Sequence, residues 1–106
     1  MTGDRTSWTV ELTRQAERDL RRLSGQALEQ AFRALSRLEA DPLHGEPLSG
    51  SLSGVRSLHF RVAGSGHYRA AYCCLTDECV CLVFAIGTRE NFYRDAERRW
   101  NALRIE

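Results

Sequence analysis

An unbroken apolar segment at Cys79–Ile86 is the feature that most constrains how this 106-residue chain can fold. A strand that is apolar at every position is typical of the centre of a sheet that is covered on both faces. Two more strand-like segments precede it, at Val55–Val62 and Tyr68–Leu75, and Gly64–Gly66 is a turn signal between them. Strands that follow each other this closely predict a mostly antiparallel sheet.

The first half of the chain has helical periodicity after one short strand. Trp8–Leu12 alternates apolar and polar residues and predicts that strand, after which Thr13 can cap a helix. Ser24–Gly25 interrupts the helical pattern. A second apolar stripe then runs to Leu38 and stops before Asp41–Pro42, because the residue before a proline avoids the helical region. Two amphipathic helices joined by a tight break predict a helical hairpin.

A third helix is predicted from about Asn91 to Leu103, where apolar residues recur at helical spacing. The order β-α-α-β-β-β-α predicts a small α+β domain with a mostly antiparallel sheet of about four strands and the helical hairpin packed on one face. We expect the opposite face to be concave and partly open. One domain should span residues 1–106, with residues 1–7 disordered.

The composition is that of a soluble globular protein with a formal net charge of +1. Binding of nucleic acid therefore needs a local basic patch, since the chain as a whole has no strong positive field. The polar first residues and the lack of a long apolar run give no sign of a signal peptide or a membrane span. We therefore expect a cytoplasmic protein.

Four cysteines lie within nine residues: Cys73, Cys74, Cys79 and Cys81. Their spacing is not that of paired zinc ligands, and the adjacent Cys73 and Cys74 would point to opposite faces of a strand. We expect buried, reduced thiols, with a metal site or a cross-strand disulfide as the alternatives. No metal and no cofactor are expected.

Basic and aromatic residues lie on the predicted strands or follow them closely, and in a small sheet they could converge on one patch. They are, in chain order, His59, Arg61, Arg69, Arg89 and Tyr93. Three guanidiniums, an imidazole and a phenol can converge there. Such a patch suits a phosphodiester, because planar guanidinium groups match phosphate oxygens with two hydrogen bonds at once.

Each of these side chains also has a purely structural interpretation. His59 and Arg61 can form an ordinary solvated strand face, because most exposed charges contribute little. Arg69 can pair with Asp95 or Glu97 of the last helix. Arg89 can neutralise the end of the strand or pair with Glu90. Tyr93 can fasten that helix to the sheet. The residue types alone leave both interpretations open.

A second basic face is predicted on the last helix, from Arg94, Arg98 and Arg99. It either contacts RNA phosphates or is simply solvated. His44 and His67 are expected in loops, where solvated histidines are more common than ligands.

Four segments in this order resemble the RelE/ParE superfamily of toxins from bacterial toxin–antitoxin pairs. They are Ala16–Leu23 in the first helix, Asp41–Gly50 after the second, Tyr68–Tyr72 in a strand and Ile86–Arg89 at the end of the last strand. The resemblance runs from Trp8 to about Arg99. It implies the superfamily's fold and a cognate antitoxin protein that binds the chain and covers or distorts the patch.

The superfamily has two activities. RelE-like members cleave messenger RNA on the ribosome, whereas ParE-like members inhibit DNA gyrase and lack the catalytic set. A basic pair on the first hairpin strand and a tyrosine after the strand-end arginine are RelE-like signs, and His59, Arg61 and Tyr93 match them. The resemblance therefore implies a metal-independent endoribonuclease that acts on ribosome-bound mRNA through attack of the 2′-hydroxyl. A gyrase inhibitor and an inactive antitoxin-binding member are the alternatives.

Cleavage of this kind needs positive charge and proton transfer. Arg61, Arg69 and Arg89 are the candidates for stabilising the charge of the transition state. His59 and Tyr93 are the candidates for base and acid, and the sequence does not decide which takes which role.

Overall fold

A computed structural model describes the backbone of residues 7–62, 64 and 66–103, together with their side chains except those at 89–91. The described chain forms a five-stranded sheet in the order β1-β5-β4-β3-β2. The strands are β1 (Thr9–Leu12), β2 (Glu46–Pro47), β3 (Arg56–Val62), β4 (Gly66–Leu75) and β5 (Val80–Thr88). Neighbouring strands are antiparallel, except that β1 pairs with β5 in parallel.

Local signals in the sequence explain where the helices begin and end. The helices are α1 (Arg14–Arg21), α2 (Gly25–Ala40) and α3 (Arg89–Leu103). The Thr13 side chain accepts a hydrogen bond from Ala16 N at 3.1 Å and caps α1, as predicted. Gly25 begins α2 with φ at +55°, a left-handed conformation that favours glycine. α2 ends directly before Asp41, whose successor is a proline.

The helical hairpin of α1 and α2 covers one face of the sheet, as predicted. Ala16, Leu35 and Leu38 of the hairpin form a buried cluster with Leu58 of β3 and Val83 of β5. Each leucine that is fully buried in this way contributes roughly 1.5–3 kcal/mol to stability. This cluster is the larger of two cores and holds the hairpin against the sheet.

The opposite face is covered only in part, by α3. Phe92 and Ala96 of α3 pack against Ala71 of β4 and against Phe84 and Ala85 of β5. The outer ends of β3 and β4 lie outside this second cluster. The open part of the predicted concave face is therefore the part over β3 and β4.

The strands differ from the prediction in their number and in some of their bounds. Cys79, predicted as the start of the central strand, lies in the preceding turn with φ at +55°, and β5 begins at Val80. The sheet has five strands where about four were expected, because the two-residue β2 in the loop after α2 pairs with the start of β3. β5 continues past Ile86 to Thr88, since β4 begins at Gly66 and offers pairing partners along this length. α3 follows at once, at Arg89, and not near Asn91.

The disorder expected at residues 1–7 concerns residues outside the described ranges, apart from the exposed Ser7. The single domain over 1–106 stays a prediction. Among the described helices, none is long and apolar enough to cross a bilayer.

Candidate functional site

The hairpin of β3 and β4 brings four basic side chains to one face of the sheet. Its register places His59 directly opposite Arg69, and Arg61 opposite His67. Residues directly opposite in antiparallel strands share a face and lie within contact distance. The face is the one that α3 partly covers, since the intervening Phe60 packs with the hairpin core on the other side. We call these four residues the basic patch.

His67 belongs to this patch although it was expected in a loop. It lies in β4 because that strand begins at Gly66, earlier than the sequence pattern indicated. Gly66 has φ at +93°, so the glycine allows the chain to leave the turn and enter the strand at once. The signal that could have found His67 is the strand period, since it is two residues before Arg69.

His59 and Arg69 are joined by a hydrogen bond in which Arg69 Nε donates to His59 Nε2 at 2.8 Å. Because this ring nitrogen accepts a hydrogen bond, it carries no proton, and the ring proton is on Nδ1. His59 is therefore a neutral imidazole in this arrangement, and it is exposed to solvent. A guanidinium paired with a neutral ring keeps its full positive charge.

Tyr93 of α3 lies over the same guanidinium. The Cζ atom of Arg69 is 5.6 Å from the centroid of the Tyr93 ring, a cation–π contact. Tyr93 is 42% exposed, and its ring meets Phe92 edge to face. Arg69 Nη1 is buried and has no hydrogen-bond partner among the described residues. A buried donor left unpaired costs about 1–3 kcal/mol, so an acceptor that reached this nitrogen would be favoured.

Arg89 is the first residue of α3, directly after β5. Its side chain lies outside the described residues, so its role stays a prediction. Its backbone lies between Gly87, which is opposite Arg69, and Tyr93, one helical turn further along. Arg89 therefore begins α3 close to Arg69 and Tyr93, which are in contact with each other.

The basic face expected on α3 is divided. Arg94 and Arg98 are exposed, and Arg98 Nη2 pairs with Asp95 Oδ1 at 3.0 Å. The expectation that Arg99 shares this exposed face is wrong. Its side chain is only 14% exposed, because Arg99 Nη1 forms an ion pair with Asp19 Oδ2 at 2.6 Å.

Asp19 is a buried residue that the sequence analysis missed. Its carboxylate also accepts a hydrogen bond from Ile86 N at 2.9 Å, and Arg99 Nη1 donates to Phe84 O at 3.0 Å. β1 pairs with β5 only as far as Val83. Beyond that point the side chains of Asp19 and Arg99 form the hydrogen bonds that the exposed edge of β5 would otherwise lack. The available signal was an acidic residue three positions after Ala16, on the apolar stripe of α1.

A groove between α2 and β3 extends the basic surface around the edge of the sheet. Its lining includes Arg33, Arg37, Leu58, Phe60 and Arg61. β2 pairs only with Arg56 and Ser57 of β3, so the later residues of β3 border the groove. Arg33 and Arg37 are both exposed, and they add two charges to the surface that adjoins the patch.

The groups with shifted pKa values lie in the scaffold around this site. Burial raises the pKa of Tyr72, whose hydroxyl donates to Pro42 O at 2.7 Å and accepts from Gly45 N at 2.8 Å. Burial also raises the pKa of Cys73 and raises that of Cys81 to about 12. These groups are protonated at neutral pH, and the Tyr72 hydroxyl joins β4 to the loop after α2.

The four cysteines are free thiols in the structure. Within the described ranges, no three His, Cys, Asp or Glu side chains are grouped so that they could hold a metal ion. What the basic patch and the adjacent Tyr93 offer to a substrate is positive charge, two imidazoles and a phenol.

Solved structures of RelE toxins share this fold. A RelBE toxin–antitoxin complex from Mycobacterium tuberculosis matches with a TM-score of 0.68 and 28% identity, over 78% of this chain and 99% of that chain. A free Escherichia coli RelE mutant with two arginines replaced by alanine matches with a TM-score of 0.70 and 22% identity, over 92% and 99%. The RelE–RelB complex of Pyrococcus horikoshii matches with a TM-score of 0.58 and 16% identity, over 79% and 97%. The fold is therefore that of the RelE toxins.

The family follows from the sequence. Residues 10–97 match the family model of the ParE-like toxin of type II bacterial toxin–antitoxin systems, and the chain belongs to this family. It is a toxin of a type II toxin–antitoxin pair with a RelE-like structure, and this confirms the resemblance to the RelE/ParE superfamily. No curated protein matches the chain in sequence.

Proposed function

We propose that this toxin is a metal-independent endoribonuclease that cleaves ribosome-bound messenger RNA in the cytoplasm. The observation that carries the proposal is the hydrogen bond between Arg69 and His59 beneath the ring of Tyr93. It combines a cation, a neutral base and a phenol on one open face. Cleavage of RNA by its own 2′-hydroxyl needs these three kinds of group and no external nucleophile.

The arginines would bind and stabilise the scissile phosphate. Arg61 is exposed on the same face as Arg69, and Arg89 enters α3 close by. The negative charge on the non-bridging oxygens grows as the 2′-oxygen attacks, and guanidinium groups that are already in position stabilise that charge without reorganisation. His67, opposite Arg61, adds a donor at the rim of the patch.

Arg69 would also control when His59 can act as a base. In the free protein the lone pair of His59 Nε2 is occupied by the hydrogen bond from Arg69 Nε. A phosphate is a stronger acceptor for a guanidinium than a neutral ring, because both partners are then charged. When Arg69 turns to the phosphate, His59 Nε2 becomes free to take the proton of the 2′-hydroxyl.

Tyr93 would then act as the acid that protonates the leaving group. Its hydroxyl can protonate the 5′-oxygen as the P–O bond breaks, and the products are a 2′,3′-cyclic phosphate and a 5′-hydroxyl. Its exposure leaves the hydroxyl accessible to RNA. The contact between its ring and Arg69 couples the position of this acid to the arginine that binds the phosphate.

The same proposal includes a cognate antitoxin that covers or distorts the patch. The structures from M. tuberculosis and P. horikoshii are toxin–antitoxin complexes, and this chain shares their fold. Because the patch is cationic, the segment that blocks it should carry Asp or Glu. Co-expression with the small open reading frame beside the toxin gene should give a stable complex and restore growth.

The decisive experiment is cell-free translation with primer-extension mapping of the message. We expect cuts in ribosome-bound mRNA that disappear when the nucleotide at the cut site has a 2′-deoxyribose. They should persist after chelation under conditions that keep ribosomes intact. His59→Ala should abolish the cuts, and Arg18→Ala, a matched change on exposed α1, should not. Rescue of a chelated toxin by one specific divalent ion would contradict metal independence.

Inhibition of DNA gyrase is the second candidate, because the matching family model is that of the ParE-like toxin. A gyrase supercoiling assay run beside the translation assay separates the two. Loss of supercoiling without mRNA cuts would replace the nuclease proposal. A protein that binds its antitoxin but is harmless in both assays would be an inactive member of the family.

A further inference from the structure

Two of the cysteines are paired across strands. Cys74 of β4 is directly opposite Cys81 of β5, and both belong to the core beneath the helical hairpin. Their side chains lie on the same face of the sheet, because residues directly opposite in antiparallel strands share a face. Cys73 points to the other face of the sheet because it is the adjacent residue in the strand. The two thiols are thus neighbours on one face of the sheet in the reduced protein.

The backbone hydrogen bonds show which kind of strand pair this is. Thr9 N donates to Cys79 O, and Thr13 N donates to Val83 O. The odd-numbered residues in this part of β5, including Cys81, therefore direct their backbone groups toward β1 and away from β4. Cys74 and Cys81 are a non-hydrogen-bonded pair, the type in which side chains lie closest, with Cα atoms about 4.5 Å apart. Disulfides span Cα separations from about 4.4 Å upward, so the pair is within range.

We propose that Cys74 and Cys81 are a redox modification site, at which a two-electron oxidant such as hydrogen peroxide joins them in a cross-strand disulfide. The proposal is independent of the nuclease proposal, because it concerns the covered face of the sheet.

Access to solvent gives the two sulfurs different roles. Cys81 is 0% exposed, whereas Cys74 is half-buried and is the sulfur that an oxidant can reach. The Cys74 thiol gives up its proton, its sulfur attacks one peroxide oxygen and the O–O bond breaks. Cys74 becomes a sulfenic acid, and the other oxygen leaves as hydroxide, which takes up the released proton to give water. The Cys81 sulfur then attacks the Cys74 sulfur, the S–O bond breaks, and the Cys81 proton leaves with the hydroxide as a second water. Two thiols and one peroxide give one disulfide and two waters.

Oxidation would leave the surrounding structure in place. Cys74 Sγ loses one weak contact, a hydrogen bond to Pro42 O at 3.6 Å. Pro42 O keeps its stronger partner, the hydroxyl of Tyr72 at 2.7 Å. The disulfide closes a short loop between strands that are already paired, so it should stabilise the sheet. We expect Tm to rise by about 5–10 °C on oxidation.

The test is to map the disulfide in the full chain after treatment with hydrogen peroxide. No arginine or lysine lies between Arg69 and Arg89, so trypsin leaves all four cysteines in one peptide. Cleavage after Glu78 separates the two cysteines of β4 from Cys79 and Cys81. Free thiols are first blocked by alkylation in denaturant, and the fragments are then weighed with and without dithiothreitol. We expect the two fragments to be linked within one chain, and to separate on reduction.

Variants identify the sulfurs. Cys74→Ala should abolish the link, whereas Cys73→Ala and Cys79→Ser, the matched controls, should keep it. Circular dichroism establishes that each variant is folded. The proposal is overturned if the wild-type fragments stay unlinked while the thiols oxidise further, if the link persists in Cys74→Ala, or if it joins only separate chains. Whether the wild-type fragments become linked is measured without any variant, so this outcome is decided even if a variant does not fold.

Discussion

Arg69 and Arg99 both lie where α3 meets the sheet, and they have opposite surroundings. The carboxylate of Asp19 neutralises Arg99, and Arg99 Nη1 also donates to a backbone carbonyl, while its Nε has no hydrogen-bond partner within the described part of the chain. Arg69 has an imidazole and an aromatic ring as its neighbours, and its Nη1 has no hydrogen-bond partner among the described residues. One guanidinium is neutralised within the fold, and the other keeps a positive charge beside an open face.

This difference separates a structural arginine from one that is available to a ligand. A carboxylate fixes a guanidinium and cancels the field that would attract an anion, whereas a neutral imidazole fixes its position without cancelling that field. A phosphate therefore gains more from Arg69 than from Arg99. Both arginines belong to basic clusters in the sequence, and only their partners distinguish them.

The largest effect is expected where the buried pair is broken. Asp19→Ala should lower the free energy of unfolding by about 3–5 kcal/mol, because it leaves Arg99 buried without a counterion and Ile86 N without its acceptor. Urea denaturation measures this. Asp95→Ala, which removes the exposed partner of Arg98, is the control and should cost less than about 1 kcal/mol. An equal loss in the free energy of unfolding for the two variants would mean that the buried Asp19–Arg99 pair contributes no more to stability than the exposed Asp95–Arg98 pair.

At Arg69 and His59 we expect a large loss of activity and little loss of stability. Arg69→Ala and His59→Ala should each reduce mRNA cleavage by about a hundredfold or more, because each removes a group that acts in the transition state. Their melting temperatures should stay close to that of the wild type, since both side chains contribute little to either core. A large loss of stability in either variant, with cleavage retained per folded molecule, would make the Arg69–His59 pair structural.

Tyr93→Phe and Arg89→Ala test the α3 side of the site. Tyr93→Phe keeps the ring over Arg69 and removes only the hydroxyl, so a loss of about a hundredfold would assign proton transfer to that hydroxyl. Arg89→Ala should give a loss of similar size through the missing charge. Growth arrest at matched expression is the readout. Full toxicity in both variants would favour the protein-binding alternative.

Alkaline pH should weaken the scaffold without involving the arginines. Burial raises the pKa values of Tyr72, Cys73 and Cys81. Below about pH 9 these groups are protonated in both states. Above it the unfolded chain loses protons that the folded chain retains, so the free energy of unfolding falls as the pH rises. Urea midpoints at about pH 8 and about pH 10.5 measure the fall, which Cys73→Ala should make shallower.

The smallest effect is expected on the outer face of α3. Arg94→Ala and Arg98→Ala should weaken RNA or ribosome binding only a few-fold, and each should reduce the salt slope by about 1 if the side chain contacts a phosphate. Binding measured at several salt concentrations gives the slope. An unchanged slope would show that these residues form a solvated face, as the sequence alone also allowed.

The elements of the fold could be predicted because their signals are local. The helix cap at Thr13, the stop before Asp41–Pro42 and the existence of the central strand, observed at Val80–Thr88, depend on residues that are neighbours in the chain. The same reasoning brought His59, Arg69 and Tyr93 together as candidates, and the structure places Arg69 in contact with each of the other two. The roles of these residues in catalysis remain predictions.

Other features could not be read from neighbouring residues. His67 belongs to the basic patch because β4 begins at Gly66. Where a strand begins depends on how far it pairs with its neighbour, and the residues next to it in the chain do not show this. β2 could not be predicted because two residues are too few to show the alternation of a strand. Their pairing with β3 results from the path of the chain after α2.

By itself, the sequence determined the order of helices and strands, the face on which the hairpin packs and the family to which the toxin belongs, because periodicity and short motifs carry that information. The tertiary structure decided what each arginine does. Asp19 and Arg99 are 80 positions apart, and no spacing rule connects them. The charge of an arginine is fixed by its chemistry, but whether that charge is cancelled depends on which partner the packing of α1, α3 and β5 brings within hydrogen-bonding distance.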